Sequence, residues 1–315
     1  MKSWFGSNTG LVGLDLGSTM FKAVTLERRH GQMTLKQAAT IGTPTGVLTA
    51  GTITDGISVA RALRVLCDDN EIKENNIAGS ISGEKVFAQT DALPSEYEKA
   101  VEQFVERQAE RVIPYAIEST SWGYEEDDNW SEKKILWVAS PAEQVDWLRE
   151  SVGLSGKSVK VIQPQVCALA NLYSYNYKPR RGEVVLLLNV GARHMSIVLM
   201  SGETMLYGRD CAIAKDWISA ESDALSDRVW RALSEHWDAI NERGEPSLIR
   251  LSGGGAGSRE LVDNLPELCG IQINQLDPFR RVDYLRGSVV SKVVAQHGSS
   301  LGIAIGLALS GFKDL

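Results

Sequence analysis

The sequence predicts a mixed α/β fold of two related lobes facing each other across a ligand cleft. Three observations predict it. A strand–turn–strand unit occurs twice: Val12-Gly-Leu-Asp15-Leu-Gly17-Ser18-Thr19 continues through Met20-Phe-Lys22-Ala-Val-Thr-Leu26, and Leu186-Leu-Leu-Asn189-Val-Gly191-Ala192-Arg193 continues through His194-Met-Ser-Ile-Val-Leu-Met200. Each copy then reaches a further turn (Gly31; Ser201-Gly202) and a third extended run. A separate small-residue loop, Ser252-Gly253-Gly254-Gly255-Ala256-Gly257, also follows an apolar strand, Leu248-Ile-Arg-Leu251. Short apolar runs closed by Gly-containing turns read as buried strands ending at loops.

The first unit covers about residues 11–83. After its hairpins comes a turn-rich stretch, Gly42-Thr-Pro44-Thr-Gly46. Past Asp55-Gly56 a helix is expected with Ile57, Ala60, Leu63 and Leu66 inward and Arg61 and Arg64 off that face. Residues 77–81 read as a short buried strand ending in a loop at Ser82-Gly83.

Residues 84–165 read as a compact α/β insert. A charged amphipathic helix spans 96–112, with Ala100, Val101, Phe104, Val105 and Ala109 inward and a stop near Pro114. Two strands, 120–124 and 134–139, flank the acidic turn Glu125-Glu-Asp-Asp-Asn129, expected to be a solvated hairpin tip and not a cation site. A helix over 142–152 and a strand over 159–162 close the segment. Helix 165–173 and the basic connector Tyr177-Lys-Pro179-Arg-Arg-Gly182 lead into the second unit. There, 222–240 reads as one long helix with Trp230, Leu233 and Trp237 on a face. A further helix opens at Arg259 behind the Gly-rich loop, and a small-residue helix over 299–309 is suited to close packing.

Composition narrows the function. With 43% hydrophobic and 23% charged residues in 315, the chain reads as globular, with length for about two domains. A net charge of -7 argues against a general nucleic-acid or anionic-membrane binder. Cys67, Cys167, Cys211 and Cys269 show no CxxC spacing, and His30, His194, His236 and His297 form no helical pair, so neither a disulfide framework nor a structural metal is expected. The amino terminus, with Trp4 and Phe5, is far shorter than a signal peptide's apolar core, and no apolar run approaches the ~20 residues that span a bilayer. A cytoplasmic protein without transmembrane segments is expected.

The loops carry the chemistry. Backbone N–H groups in tight turns hold phosphate oxygens, and Gly permits their close approach. Gly17, Ser18 and Thr19 offer turn amides and two hydroxyls, and Lys22 follows on the outgoing strand. Asp15 at the strand end is placed to hold Mg²⁺ directly or through water, since Mg²⁺ keeps most of its hydration shell. This is no Walker loop, because no GxxxxGK[ST] occurs and the loop enters a strand. Gly253, Gly254, Gly255 and Ala256 lie between a strand and a helix start, a setting suited to a phosphate or a ribose–adenine edge. Asn189, Gly191, Ala192 and Arg193 form the second-copy counterpart, with Asn189 in place of the carboxylate of Asp15. Asn can hydrogen-bond a water but brings no charge and cannot act as a base.

These motifs carry a family resemblance. Leu14 to Lys22, Leu251 to Ala256 and Leu301 to Leu309 resemble the phosphate-1, adenosine and second connecting motifs of the actin/Hsp70/sugar-kinase superfamily. The sequence is more specifically similar to the PilM family of actin-like type IV pilus proteins, through Val112-Ile-Pro114 before Glu118, Gly270-Ile-Gln-Ile-Asn274 and Asp277-Pro-Phe279. The resemblance implies an actin-like (ribonuclease H-like) fold with duplicated lobes. It implies subdomain 1A over 1–83 with 166–181 and 298–315, an FtsA/PilM-type 1C insert over 84–165, subdomain 2A over 182–212 and 248–297, and a reduced 2B over 213–247. It also implies ATP and Mg²⁺ in the cleft. Family members usually carry Asp at the position of Asn189 and a Thr near His194 or Met195, so hydrolysis is expected to be weak or absent.

The function so implied is a cytoplasmic nucleotide-binding scaffold of a type IV pilus-like platform, peripheral to the inner membrane through its partners. Its partner would be the cytoplasmic N-terminal segment of a PilN-like membrane protein, in a groove between the core lobe and the 1C insert. A motor ATPase partner and self-association stay open. The alternatives are an ATPase or small-molecule kinase on the same fold, and an FtsA-like filament or membrane tether. The last ranks lower, because FtsA-like proteins use a C-terminal amphipathic anchor and this sequence stops at Leu315, just after its last core helix.

Overall fold

The two copies of the strand unit fold into two sheets with matching strand order. A computed structural model describes residues 10–127, 132–213 and 224–312. In chain order, the first half comprises strands β1 (Val12–Leu16), β2 (Met20–Arg29), β3 (Gln32–Gly42), β4 (Leu48–Thr49) and β5 (Thr52–Ile53), helix α1 (Gly56–Asp69), strands β6 (Asn76–Ile81) and β7 (Phe87–Ala92), and helix α2 (Val101–Val112). Strands β8 (Thr120–Asp127) and β9 (Lys134–Pro141), helix α3 (Ala142–Leu154), strand β10 (Ser158–Pro164) and helix α4 (Gln165–Tyr177) follow. The second half comprises β11 (Val184–Val190), β12 (His194–Ser201), β13 (Thr204–Ala212), α5 (Leu225–Ser234), α6 (Trp237–Asn241), β14 (Leu248–Ser252), α7 (Arg259–Cys269), β15 (Ile273–Gln275), β16 (Val282–Tyr284), α8 (Val289–His297) and α9 (Gly302–Leu309).

The first sheet runs β10-β6-β1-β2-β3-β16 and the second β15-β14-β11-β12-β13-β7-β9-β8. In each, a three-stranded antiparallel meander (β1-β2-β3; β11-β12-β13) is joined by two parallel strands on the side of its first strand. The expected duplication is therefore a duplication of topology. Parallel strands need crossovers, and α1, α3 and α7 fall on those crossovers.

Packing sets the lobes together through α4 and α9. All eight residues of α9 are buried, so its small-residue sequence has no solvent face. It approaches β1 so closely that a Cβ on Gly13 would lie 1.9 Å from the Ala304 carbonyl oxygen, and one on Gly306 would lie 1.9 Å from that of Ala168 on α4. The surrounding core includes Leu169, Leu172, Tyr173, Ile305 and Leu309.

Four expectations are corrected. Segment 84–165 is not one insert: β7, β8 and β9 extend the second sheet through the β13–β7 ladder, whereas β10 pairs with β6 in the first sheet and α3 packs on α1. Similarly, β16 within 248–297 pairs with β3 of the first sheet. Ile57 is 66% exposed, because steps of three residues drift by about 60° each around a helix with 3.6 per turn; α1 instead buries Val59, Ala60, Leu63, Leu66 and Cys67. The long helix expected over 222–240 is broken between α5 and α6, where His236 Nδ1 meets the Tyr207 hydroxyl at 2.8 Å. Trp230 and Trp237 still meet edge-on, 5.5 Å between centroids. Trp4 and Phe5 lie outside the described residues, as do Asp128 and Asn129 of the acidic turn, whose Glu125 to Asp127 belong to β8. All four cysteines are free, Cys67 and Cys211 being buried. Among the described residues no helix is long and apolar enough to cross a membrane.

Candidate functional site

The C-terminal ends of β1, β11 and β14 point their loops into one cleft of about 320 Å³. Asp15, Gly17, Ser18, Thr19 and Lys22 line one wall; Asn189, Gly191, Ala192 and Arg193 line the facing wall; Gly253 and Gly254 stand between. Three loops far apart in sequence thus converge because each ends the central portion of a homologous sheet. Gly255 and Ala256, expected with them, are buried away from the cleft: a Cβ on Gly255 would meet Val190 at 2.5 Å.

The glycines do different work. A Cβ on Gly17 would crowd the Met20 carbonyl at 2.8 Å, and one on Gly191 the His194 carbonyl at 2.9 Å, so both keep turns tight. Gly253 has φ +85° and would press on the Val190 carbonyl at 2.5 Å and the Asn189 side-chain oxygen at 2.8 Å. Gly254 has nothing within 4 Å of its Cβ position, leaving its backbone open to a ligand.

Beneath the first loop lies a buried polar chain. Lys22 Nζ donates to Asp15 Oδ2 at 2.8 Å, with side-chain exposures of 12% and 3%. Gln165 Nε2 donates to Asp15 Oδ1 at 3.1 Å, and Ser196 Oγ donates to Gln165 Oε1 at 3.3 Å. Asp15 belongs to the first lobe, Gln165 opens α4 and Ser196 sits on β12, so the chain crosses the cleft floor. Gln165 escaped the sequence reading; the signal available was a polar side chain opening an apolar helix directly after a strand, at Pro164-Gln165. Ser82, Ala50, Gly51, Gln296, His297, Ser299 and Ser300 also line the cleft without a local motif to mark them.

The chain's far end is Asp210, opposite Ser196 in the β12–β13 ladder and only 4% exposed. Its Oδ2 accepts the Gly83 amide at 2.9 Å. Burial, only partly offset by the neighbouring Ser196 hydroxyl and by the hydrogen bond from the Gly83 amide, raises its carboxyl from 3.8 to about 6. Burial likewise holds the His194 imidazole below its ordinary value. Because folded Asp210 binds its proton more tightly than the unfolded chain does, its contribution is full below about pH 4 and is lost as pH rises through about 6. Asp210→Asn should therefore remove a loss of about 2 kcal/mol between pH 4.5 and 7. Urea midpoints of variant and wild type at the two pH values check this.

Asp15 bears on Mg²⁺. Both its oxygens are engaged, and among the described residues no group of three or more His, Cys, Asp and Glu side chains is placed to hold a metal. A cation there fits only with water and ligand oxygens completing its shell, which is how Mg²⁺ binds beside phosphates.

The profile of the type IV pilus assembly protein PilM matches residues 13–221, which covers both strand units. The chain belongs to the PilM family. No curated protein matches the sequence. Among solved structures, a PilM-PilN type IV pilus biogenesis complex is similar to this PilM-family chain with a TM-score of 0.80 and 22% identity, over 98% of this chain and 100% of that one. The ethanolamine utilization protein EutJ from Carboxydothermus hydrogenoformans follows at a TM-score of 0.53 and 12% identity, over 96% and 90%. A Bacteroides thetaiotaomicron protein with an actin-like ATPase fold has a TM-score of 0.51 and 11% identity, over 88% and 95%. The PilM-family fold is thus actin-like α/β, as the sequence predicts.

Proposed function

We propose that this PilM-family chain is a nucleotide-binding scaffold of a type IV pilus-like assembly platform that docks the cytoplasmic N-terminal segment of a PilN-like inner-membrane protein. The observation that carries the reading is a second concavity, of about 260 Å³, beside the first lobe. Four consecutive residues of β10, Val159 to Ile162, line it, together with Ile81, Val138, Val145 and Pro164. β10 is the edge strand of its sheet. A free strand edge above apolar side chains suits an extended peptide that adds to the sheet and buries alternate residues. The PilN-like partner comes from the similarity to the PilM-PilN complex, and the partner's membrane segment would keep the chain peripheral to the inner membrane.

In the cleft, ATP phosphates would lie against the amides of Gly17 to Thr19, Ala192, Arg193 and Gly254, and Mg²⁺ would face Asp15 through water. The cation would neutralise phosphate charge when bound. The chain's own residues orient these groups: Lys22 and Gln165 hold the Asp15 carboxylate in place. Asn189 offers no general base, which supports slow or absent hydrolysis.

Calorimetric titration tests both halves. The N-terminal peptide of the membrane partner is expected to bind wild type, and Val159→Arg to bind it at least tenfold more weakly. Asp15→Ala is expected to lower Mg·ATP affinity about a hundredfold without affecting peptide binding by more than a few fold. A peptide that does not bind, with or without ATP, would overturn the scaffold reading.

A further inference from the structure

The cleft and the groove are two sides of one wall. Ile81 lines the groove and the next residue, Ser82, lines the cleft; Pro164 lines the groove and the next residue, Gln165, lines the cleft. These two dipeptides are neighbours, because β6 and β10 pair in parallel with Ile81 opposite Pro164. Just past Ile81-Ser82, Gly83 adopts φ +117° and packs so closely on Ala50 that a Cβ would meet its carbonyl at 2.6 Å. That loop is held from the second lobe by Asp210.

Between Asp210 and Gln165 stands one hydroxyl. Ser196 Oγ has a single proton and faces two acceptors. In the structure the proton goes to Gln165 Oε1, and the buried Asp210 Oδ1 is left without a hydrogen-bond partner. An unpaired oxygen on a buried carboxyl is costly, so the arrangement holds a second position in reserve.

We propose that Ser196 and Asp210 are positioning residues that couple the cleft to the groove, the Ser196 hydroxyl serving Gln165 in one state and Asp210 in the other. When a phosphate oxygen or a water in the cleft engages the Gln165 carboxamide, its Oε1 turns away and releases the Ser196 proton to Asp210 Oδ1. Asp210, now held from both oxygens, fixes the Gly83 amide and with it Ile81 in the groove wall. Gln165 carries Pro164 with it on the same wall. Peptide binding, by moving Ile81 and Pro164, acts on the cleft through the same atoms, since coupling between two sites is reciprocal. This rests on the proposed function, in which the cleft takes Mg·ATP and the groove a peptide.

The test is the ratio of peptide affinities with and without saturating Mg·ATP, measured by calorimetry on the full chain. Wild type is expected to show a ratio of about tenfold, within the usual range of coupling. Ser196→Ala is expected to bring the ratio to within twofold of unity while each ligand alone still binds. Ser196→Thr, which keeps the hydroxyl, is expected to restore it; a merely structural role for Ser196 would weaken both ligands and leave the ratio. A wild-type ratio of unity with both ligands bound, or an unchanged ratio in Ser196→Ala, overturns the coupling. If either ligand fails to bind wild type, it is the proposed function that fails. Hydrogen exchange then reads the Ser196–Asp210 pair directly: saturating Mg·ATP should slow exchange at the Gly83 amide about fivefold in wild type and leave it unchanged in Ser196→Ala, and equal slowing in both overturns the proposal.

Discussion

Gly306→Ala is expected to destabilise the protein by about 3 kcal/mol or more, at the upper end of what overpacking costs. The new methyl would lie 1.9 Å from the Ala168 carbonyl oxygen, and that oxygen belongs to helix backbone and cannot rotate away. Helices α4 and α9 would have to separate, and α9 has no exposed face on which to slide outward. Gly13→Ala meets the Ala304 carbonyl oxygen at the same distance and should behave alike. Gly254→Ala, with open space at its Cβ position, is the control and should leave the denaturant midpoint within about 0.5 kcal/mol of wild type. Equal losses at Gly306 and Gly254 would contradict the packing argument.

Lys22→Met is expected to cost about 3 kcal/mol, because it strands the buried Asp15 carboxylate without its cation. The loss should be reversed in large part by adding Asp15→Asn, which removes the charge while keeping an acceptor for Gln165. The comparison separates pair electrostatics from lost side-chain packing, since packing loss at Lys22 persists in the double variant. Urea unfolding of the four proteins in this cycle gives the measurement. A double variant as unstable as Lys22→Met alone would show that the ammonium acts mainly through its methylene stem.

The repeat was readable because everything that encodes it is local. Apolar runs, Gly turns and an acidic or amide strand end mark β1-β2 and β11-β12 within a few residues. What could not be read depends on pairings between distant residues. Nothing near Phe87 announces that β7 will join β13, which pairs Tyr207 with Gln89 across more than a hundred positions. The break between α5 and α6 answers to Tyr207 on another element, although the helical pattern runs through it. Gln165 falls in the same class: its partners Asp15 and Ser196 lie on two different sheets, so its role exists only once both lobes are assembled. Gly255 and Ala256 were misplaced for the converse reason. A Gly run tells where the backbone can bend, and only the packing on Val190 tells which of its residues end up inside.

The point at which β6 and β10 end has a consequence for how this chain can diverge. Each strand stops at the wall: Ile81 ends β6 in the groove and the loop residue Ser82 turns to the cleft, while Pro164 ends β10 in the groove and Gln165, the first residue of α4, lines the cleft. A substitution at one position can retune one concavity alone. An inserted or deleted residue at either strand end would instead shift the junction by one position and move both concavities' side chains together. Point changes are therefore open to evolution and to the engineer along this wall, while length changes are closed on both sides at once.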